Sequence, residues 1–180
     1  MAGKAEDVYA EALFEAAAEA GALDELQQEL DAVAGIFREN SAFVRLLSSP
    51  AVAKKEKIAL ISDVFEGRAN ILLVNFLKVL ADHGRIACLE GIRAAFLQRW
   101  QKERNILSVT VVTAIELSPT LRERLTGRLG ELTGKTILLT EEVDPAVLGG
   151  VLLRYDGREI DGTVRERLSG LRRQLVRQMV

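Results

Sequence analysis

Apolar residues recur every three or four positions up to about Asn105 and every second position in short runs beyond it. The first spacing puts side chains on one face of a helix and the second puts them on one face of a strand. In residues 5–20, Tyr9, Leu13, Ala16, Ala17 and Ala20 form such a helical stripe, which Gly21 ends. Leu23, Leu26, Leu30, Val33 and Phe37 step likewise and predict a second helix to about Asn40. Ser41 is the expected cap of a short helix through Leu47. Ser48, Ser49 and Pro50 stop it, because the residue before proline avoids the α region. Helical spacing continues over 53–65, 69–82 and 86–104, with a turn at His83 and Gly84. Short links join antiparallel neighbours, so residues 1–105 are expected to form an antiparallel six-helix bundle.

Past Asn105 the pattern changes. Leu107, Val109, Val111 and Ile115 share one face of a predicted strand. Ser118 and Pro119 open a helix with Leu121, Leu125, Leu129 and Leu132 as its inner stripe, and Gly134 closes it. Further strands are expected over 136–140, 150–155 and 158–161. The last two are joined at Asp156 and Gly157 by a tight turn that sets Leu153 opposite Ile160 and leaves Arg154 and Glu159 at the rim. Thr163 and Glu166 have the spacing of a capping box for a final helix with Val164, Leu168, Leu171, Leu175 and Met179 on one side. The expected fold class is α+β: the helical bundle, then a small mixed β-sheet domain with packed helices over residues 106–180.

Charge removes several functions from consideration. The 24 basic and 26 acidic residues leave a net charge of -2, which gives no pull toward a nucleic-acid backbone. One cysteine, Cys88, and one histidine, His83, cannot build a disulfide or a thiolate metal cage. No apolar run approaches the roughly 18–20 residues of a membrane span, and no Arg- and Ser-rich leader precedes the first helix. A soluble, unexported protein is expected, from a bacterium rather than an organelle precursor.

Asp144, Asp156 and Asp161 near Gly149 and Gly150 invite a magnesium or phosphate site, but no Lys-Ser or Lys-Thr pair follows the glycines. Each aspartate is also accounted for structurally, Asp144 before a proline, Asp156 in a turn and Asp161 beside a helix start. His83 reads as a helix-end residue and Cys88 as a small core hydrophobe, so no catalytic residue, cofactor or metal is expected.

Helix surfaces carry more information. From Ile71 to Leu80, apolar side chains cover more of the circumference than one core-facing stripe requires. Such a helix either sits wholly inside a bundle or packs inward on one side and receives a second protein on the other. The alanines of the first helix would let a foreign helix approach closely. From Glu6 to Asp31 nine acidic residues meet no base, which favours a partner with some positive charge, whereas Arg165, Arg167, Arg172, Arg173 and Arg177 make the last helix basic.

Specific runs of residues then narrow the field. Tyr9-Ala10-Glu11-Ala12-Leu13, Leu46-Leu47-Ser48-Ser49-Pro50 with Lys54, Lys55 and Lys57, and Asn75-Phe76-Leu77 with Leu80 stand at the front. The run from Val143 through Gly149, Gly150 and Val151, and then Ile160-Asp161-Gly162-Thr163-Val164-Arg165 with Leu168 and Leu171, stand near the end. Along nearly its whole length the chain resembles the delta subunit family of F-type ATP synthase, bacterial relatives of mitochondrial oligomycin sensitivity-conferring protein. Thr163 stands where the family more often has serine, which preserves the capping hydroxyl.

The resemblance implies a non-catalytic stator subunit that meets the membrane only indirectly, through the complex. Its N-terminal domain would receive the N-terminal helix of an alpha subunit on the first and fifth helices, at Tyr9, Ala12, Leu13, Ala16, Leu73, Phe76, Leu77 and Leu80. Its C-terminal domain would hold the C-terminal end of a b-type stalk subunit, at Gly149, Gly150, Asp161, Thr163, Arg165, Leu168 and Leu171. A helical adaptor in another complex would use the same surfaces with different partners.

Overall fold

A computed structural model describes residues 4–147, 149–166 and 168. It is α+β and divides into two compact units, residues 1–100 and 101–180. The first contains α1 (Lys4–Glu19), α2 (Leu23–Glu39), α3 (Ser41–Ser48), α4 (Lys54–Phe65) and α5 (Ile71–Asp82). A single 3-10 turn at Ile86–Cys88 then leads into α6 (Leu89–Glu103), whose last residues belong to the second unit. The helix expected over 86–104 thus begins with a tighter turn.

The stripes read from spacing form one core. Leu26, Leu30, Val33 and Phe37 of α2 are buried, and they meet Ala10, Leu13 and Ala17 of α1 and Leu73, Leu77 and Leu80 of α5 in one cluster. Alanines at positions 10 and 17 let α1 come close to its neighbours, and Phe14 and Phe96 fill the space beside them edge to face at 5.7 Å. Ser41 is not the cap of α3: Asn40 holds that position, while its own side chain donates to the Ile36 carbonyl at 2.9 Å and closes α2. Asn70 does cap α5, accepting from the Leu72 N–H at 3.0 Å.

The second unit is a four-stranded sheet in the order β2-β1-β3-β4, made of β1 (Ile106–Thr113), β2 (Thr136–Val143), β3 (Leu152–Tyr155) and β4 (Arg158–Asp161). β1 and β2 run parallel, joined by α7 (Pro119–Thr133), and the other pairs are antiparallel. Ser118 accepts from the Leu121 N–H, Pro119 opens α7, and Gly134 ends it in the left-handed conformation. Leu153 pairs with Ile160 and Arg154 with Glu159 across the hairpin, whose turn residues Asp156 and Gly157 both have positive φ.

Two expected stripes are shorter than spacing suggests. Strand β1 stops at Thr113, whose hydroxyl donates to the Ile115 carbonyl at 2.8 Å and turns the chain out of the sheet, so Ile115 is 77% exposed. Helix α7 lies against β2, the edge strand; Leu125 and Leu129 reach the core, while Leu132 at the helix end stays 72% exposed and Leu121 is exposed too. The strand expected from Gly150 begins only at Leu152, because Gly149 and Gly150 both adopt positive φ, which a strand does not. The final helix is seen only at its start, with helical residues 164–166 and 168; the expected stripe residues Leu171, Leu175 and Met179 lie outside the described residues.

Candidate functional site

Helix α5 is apolar on its core side and on an adjoining flank that packs against the core but is covered only in part. Leu73, Val74, Leu77, Leu80 and Ala81 are buried. Leu72 and Phe76 are half-buried and Val79 is 44% exposed; their spacing of four and three puts them on one flank. On α1 the flank outside Leu13 carries half-buried Tyr9 and Ala16, then exposed Ala12 and Val8. The two flanks meet where the Tyr9 and Phe76 rings stack edge to face, centroids 6.2 Å apart. The result is an apolar strip along two packed helices, floored by Leu13, Leu73, Leu77 and Leu80.

Of the eight residues the resemblance placed at this surface, Tyr9, Ala12, Ala16 and Phe76 are accessible, while Leu13, Leu73, Leu77 and Leu80 are at most 3% exposed. The buried four are floor, because burying them already satisfies the bundle. Leu72, Val79 and Val8 also line the strip and Arg85 lies beside it, although the resemblance does not name them. Leu72 and Val79 fall four before and three after Phe76, and that spacing could have found them. Val8 lies four before Ala12 and carries the same signal. Arg85 has no periodic signal, because it lies past the end of α5.

Charges frame the strip. Arg85 sits with its guanidinium carbon 5.3 Å from the Tyr9 ring centre. His83 caps α5 as expected of a helix-end histidine, its Nδ1 within 2.9 Å of the Val79 carbonyl. Asp82 turns toward Lys54 at 2.8 Å, and the hydrogen bond from that ammonium holds its carboxyl below the usual aspartate range. Several acids of the first two helices find partners: Glu11 with Arg99 at 3.3 Å, Asp31 with Arg93 at 2.8 Å, and Asp24 with the Trp100 indole at 2.9 Å.

The glycine and aspartate residues near the end build a lock in the backbone. Gly162 donates its N–H to the Val151 carbonyl at 2.9 Å, and Val164 donates to the Gly149 carbonyl at 3.0 Å. Gly150 has φ +85°, and a Cβ there would stand 2.5 Å from the Gly162 carbonyl oxygen and 2.8 Å from Thr163 Cα. Asp161 accepts the Thr163 N–H at 2.8 Å, and Thr163 in turn accepts the Glu166 N–H at 3.3 Å. The hydroxyl and the N–H of Thr163 hold the Asp161 carboxyl below the usual range.

Of the residues the resemblance gave to a stalk partner, Thr163 is therefore buried in this lock, and Gly149, Gly150 and Asp161 shape it. Arg165 is exposed and donates to the Ala146 carbonyl at 3.2 Å, Leu168 is exposed, and Leu171 lies outside the described residues. Asp144 and Asp156 serve turns, Asp144 by accepting the Ala146 N–H at 2.9 Å. Among the described residues no cluster of three metal-ligating side chains exists, and no helix is long and apolar enough to cross a membrane.

Comparison with known proteins defines the class. The ATP synthase delta (OSCP) subunit family matches residues 5–175. The ATP synthase subunit delta of Lactobacillus gasseri is 36% identical over 169 residues, covering 93% of this chain and 92% of that one. Its counterpart from Clostridioides difficile is 36% identical over 168 residues, with 93% of each chain covered. A chain in the Toxoplasma gondii mitochondrial ATP synthase hexamer shares the fold at a TM-score of 0.75 and 22% identity, over 97% of this chain and 98% of that one. The chain belongs to the ATP synthase delta (OSCP) subunit family. As such it is a structural subunit of the peripheral stalk of F-type ATP synthase and does not itself catalyse.

Proposed function

We propose that this chain is the joint between the catalytic head and the peripheral stalk, with each domain holding a different neighbour. In this reading residues 1–105, an antiparallel six-helix bundle, take the N-terminal helix of an alpha subunit along α1 and α5. Residues 106–180 take the C-terminal end of a b-type stalk subunit, on the cytoplasmic side of a bacterial membrane.

The observation that carries the first half is the partly covered flank: Tyr9, Ala12, Ala16, Leu72, Phe76 and Val79 line two packed helices and are half-buried or exposed. An amphipathic helix laid there buries its own apolar face, worth about 25 cal/mol per Å² removed from water. Proton flow turns a rotor inside the head, and the head must not turn with it. A long-lived contact meets that need, because apolar burial slows release more than it speeds encounter. The second half rests on exposed Val164 and Leu168, which begin an apolar side on the helix that the lock launches.

The test is a paired measurement on the full chain. Phe76→Asp is expected to abolish calorimetric binding of an alpha-subunit N-terminal peptide while the far-ultraviolet spectrum stays helical. A chain ending at Gly162 is expected to lose the b-type subunit in a pull-down and keep the alpha peptide. Unchanged peptide affinity in folded Phe76→Asp rejects the flank, and the reverse pull-down pattern rejects the assignment of the second domain.

A further inference from the structure

Strand β2 lies at one edge of the sheet, and the backbone shows which of its groups the sheet leaves unused. Thr136 donates its N–H to the Asn105 carbonyl at 2.9 Å, and Asp144 donates to the Thr113 carbonyl at 2.9 Å, so both point toward β1. Successive residues of a strand turn their N–H and C=O groups to opposite sides. Even-numbered residues of β2 therefore serve the ladder with β1, and Ile137, Leu139, Glu141 and Val143 direct theirs outward. Among the described residues no backbone group of that outer row has a partner. Edges of this kind are normally blunted by brevity, proline, a bulge or an inward-pointing charge. Strand β2 is eight residues long, contains no proline or glycine, and keeps an unbroken register with β1. Its two acids are already engaged, Glu141 by Arg122 of α7 and Glu142 by Arg154 of β3, and Leu138 is 54% exposed.

We propose that this edge pairs with the same edge of a second copy of the chain, antiparallel about a two-fold axis through Thr140. The outward row is symmetric about Thr140, so Ile137 exchanges hydrogen bonds with the partner's Val143, and Leu139 with the partner's Glu141. No acid faces an acid in this register, because Glu141 meets the partner's Leu139 and Glu142 meets the partner's Leu138. With both acids tied within their own copy, the edge carries no free charge that would repel an identical edge. The contact of Glu141 with Arg122 fixes the odd residues on the α7 face, which puts Thr140 on the other face. There it stands opposite its own counterpart in a closely spaced pair, and threonine pairs across strands are stabilising. The lock at Gly150 and Thr163 adjoins β3 and β4, at the other side of the sheet, so pairing at β2 leaves the start of the last helix untouched.

Sedimentation velocity of the full chain tests this. So short an edge buries less than a standard interface, so the mass is expected to rise from monomer to dimer over about 10–500 μM. Val143→Pro removes an outward N–H that β1 does not use, twice across the two-fold, and is expected to weaken association at least about fivefold. Thr140→Glu and Thr140→Lys each set like charges face to face and are expected to weaken it about two- to fivefold, while an equimolar mixture of the two restores it. Thr140 is exposed and its N–H stays in the ladder with β1, so these variants keep the fold, which an unchanged melting temperature of the dilute protein verifies. A chain that remains monomeric at about 1 mM overturns the proposal. So does a dimer that Val143→Pro and both Thr140 variants leave intact, since the copies then meet elsewhere. A mixture that associates no better than either variant alone overturns the register about Thr140.

Discussion

The two units hold themselves together by different means. The helical unit buries a continuous cluster reaching from Ala10 to Phe96, to which each of α1 to α6 contributes, with aromatic contacts at Phe14, Phe37, Phe65 and Phe96. In the sheet unit the buried cluster is Leu107, Val109 and Val111, all on one strand, and α7 contributes no buried residue. What the sheet lacks in side-chain core it makes up in backbone: a parallel pair eight residues long, a hairpin in fixed register, and glycines pressed on each other beside Thr163. A unit with much core can leave apolar residues over for a partner. A unit with little core is sensitive to every backbone contact.

Gly150→Ala separates the two units most strongly. A methyl at φ +85° is strained, and it would overlap the Gly162 carbonyl and Thr163 Cα, which are backbone and cannot swing aside. A cost of about 3–5 kcal/mol is expected, comparable with the whole stability of so small a unit. Hydrogen exchange should show protection lost in β3 and β4 and retained in α2 and α5. Equal loss in both units would mean that they do not differ as described.

Next comes Leu77→Ala, the counterpart in the other unit. Leu77 is fully buried in the helical cluster, so truncation leaves a cavity and is expected to cost about 2–5 kcal/mol. A large core spreads that loss, so the helical unit should stay folded with a lower denaturation midpoint while sheet protection is unchanged. Complete unfolding of the helical unit would show that its core has no more reserve than the sheet.

Legibility in the sequence follows the same divide. Helical spacing locates the core residues Leu26, Leu30, Val33 and Phe37 directly, because a stripe facing a large core has something to face along its whole length. The same spacing overstates α7, where Leu121 and Leu132 continue the stripe beyond the edge strand that could cover them. At the candidate surface, Tyr9 and Phe76 are legible and so is the two-sided character of α5. Spacing shows the wide apolar arc of α5 but not how much of that arc the bundle covers. Leu73, Leu77 and Leu80, which the resemblance names as contacts, are buried in the bundle. Arg85 lies past the helix end at Gly84 and over the ring of Tyr9 on another helix, and the pairing of residues 9 and 85 leaves no trace in local pattern.

The mildest effect is a pH dependence confined to the sheet unit. Thr163, through its hydroxyl and N–H, keeps the Asp161 carboxyl below the ordinary aspartate value of about 4. A group depressed in the folded state stabilises it above the unfolded value, and that contribution is lost as pH falls through the folded value. Acid should therefore weaken the sheet unit below about pH 4, as the lock is protonated. Asp161→Asn keeps an oxygen for the Thr163 N–H but cannot titrate, so its urea midpoint should fall less between neutral and acid conditions than that of the unsubstituted chain. The slope should not vanish, because the hydrogen bond from Arg122 holds Glu141 low as well, and that pair bridges α7 and β2 independently of the lock. Identical acid slopes with and without Asp161 would place the sensitivity elsewhere and remove Asp161 from the forces that keep the hairpin against the terminal helix start.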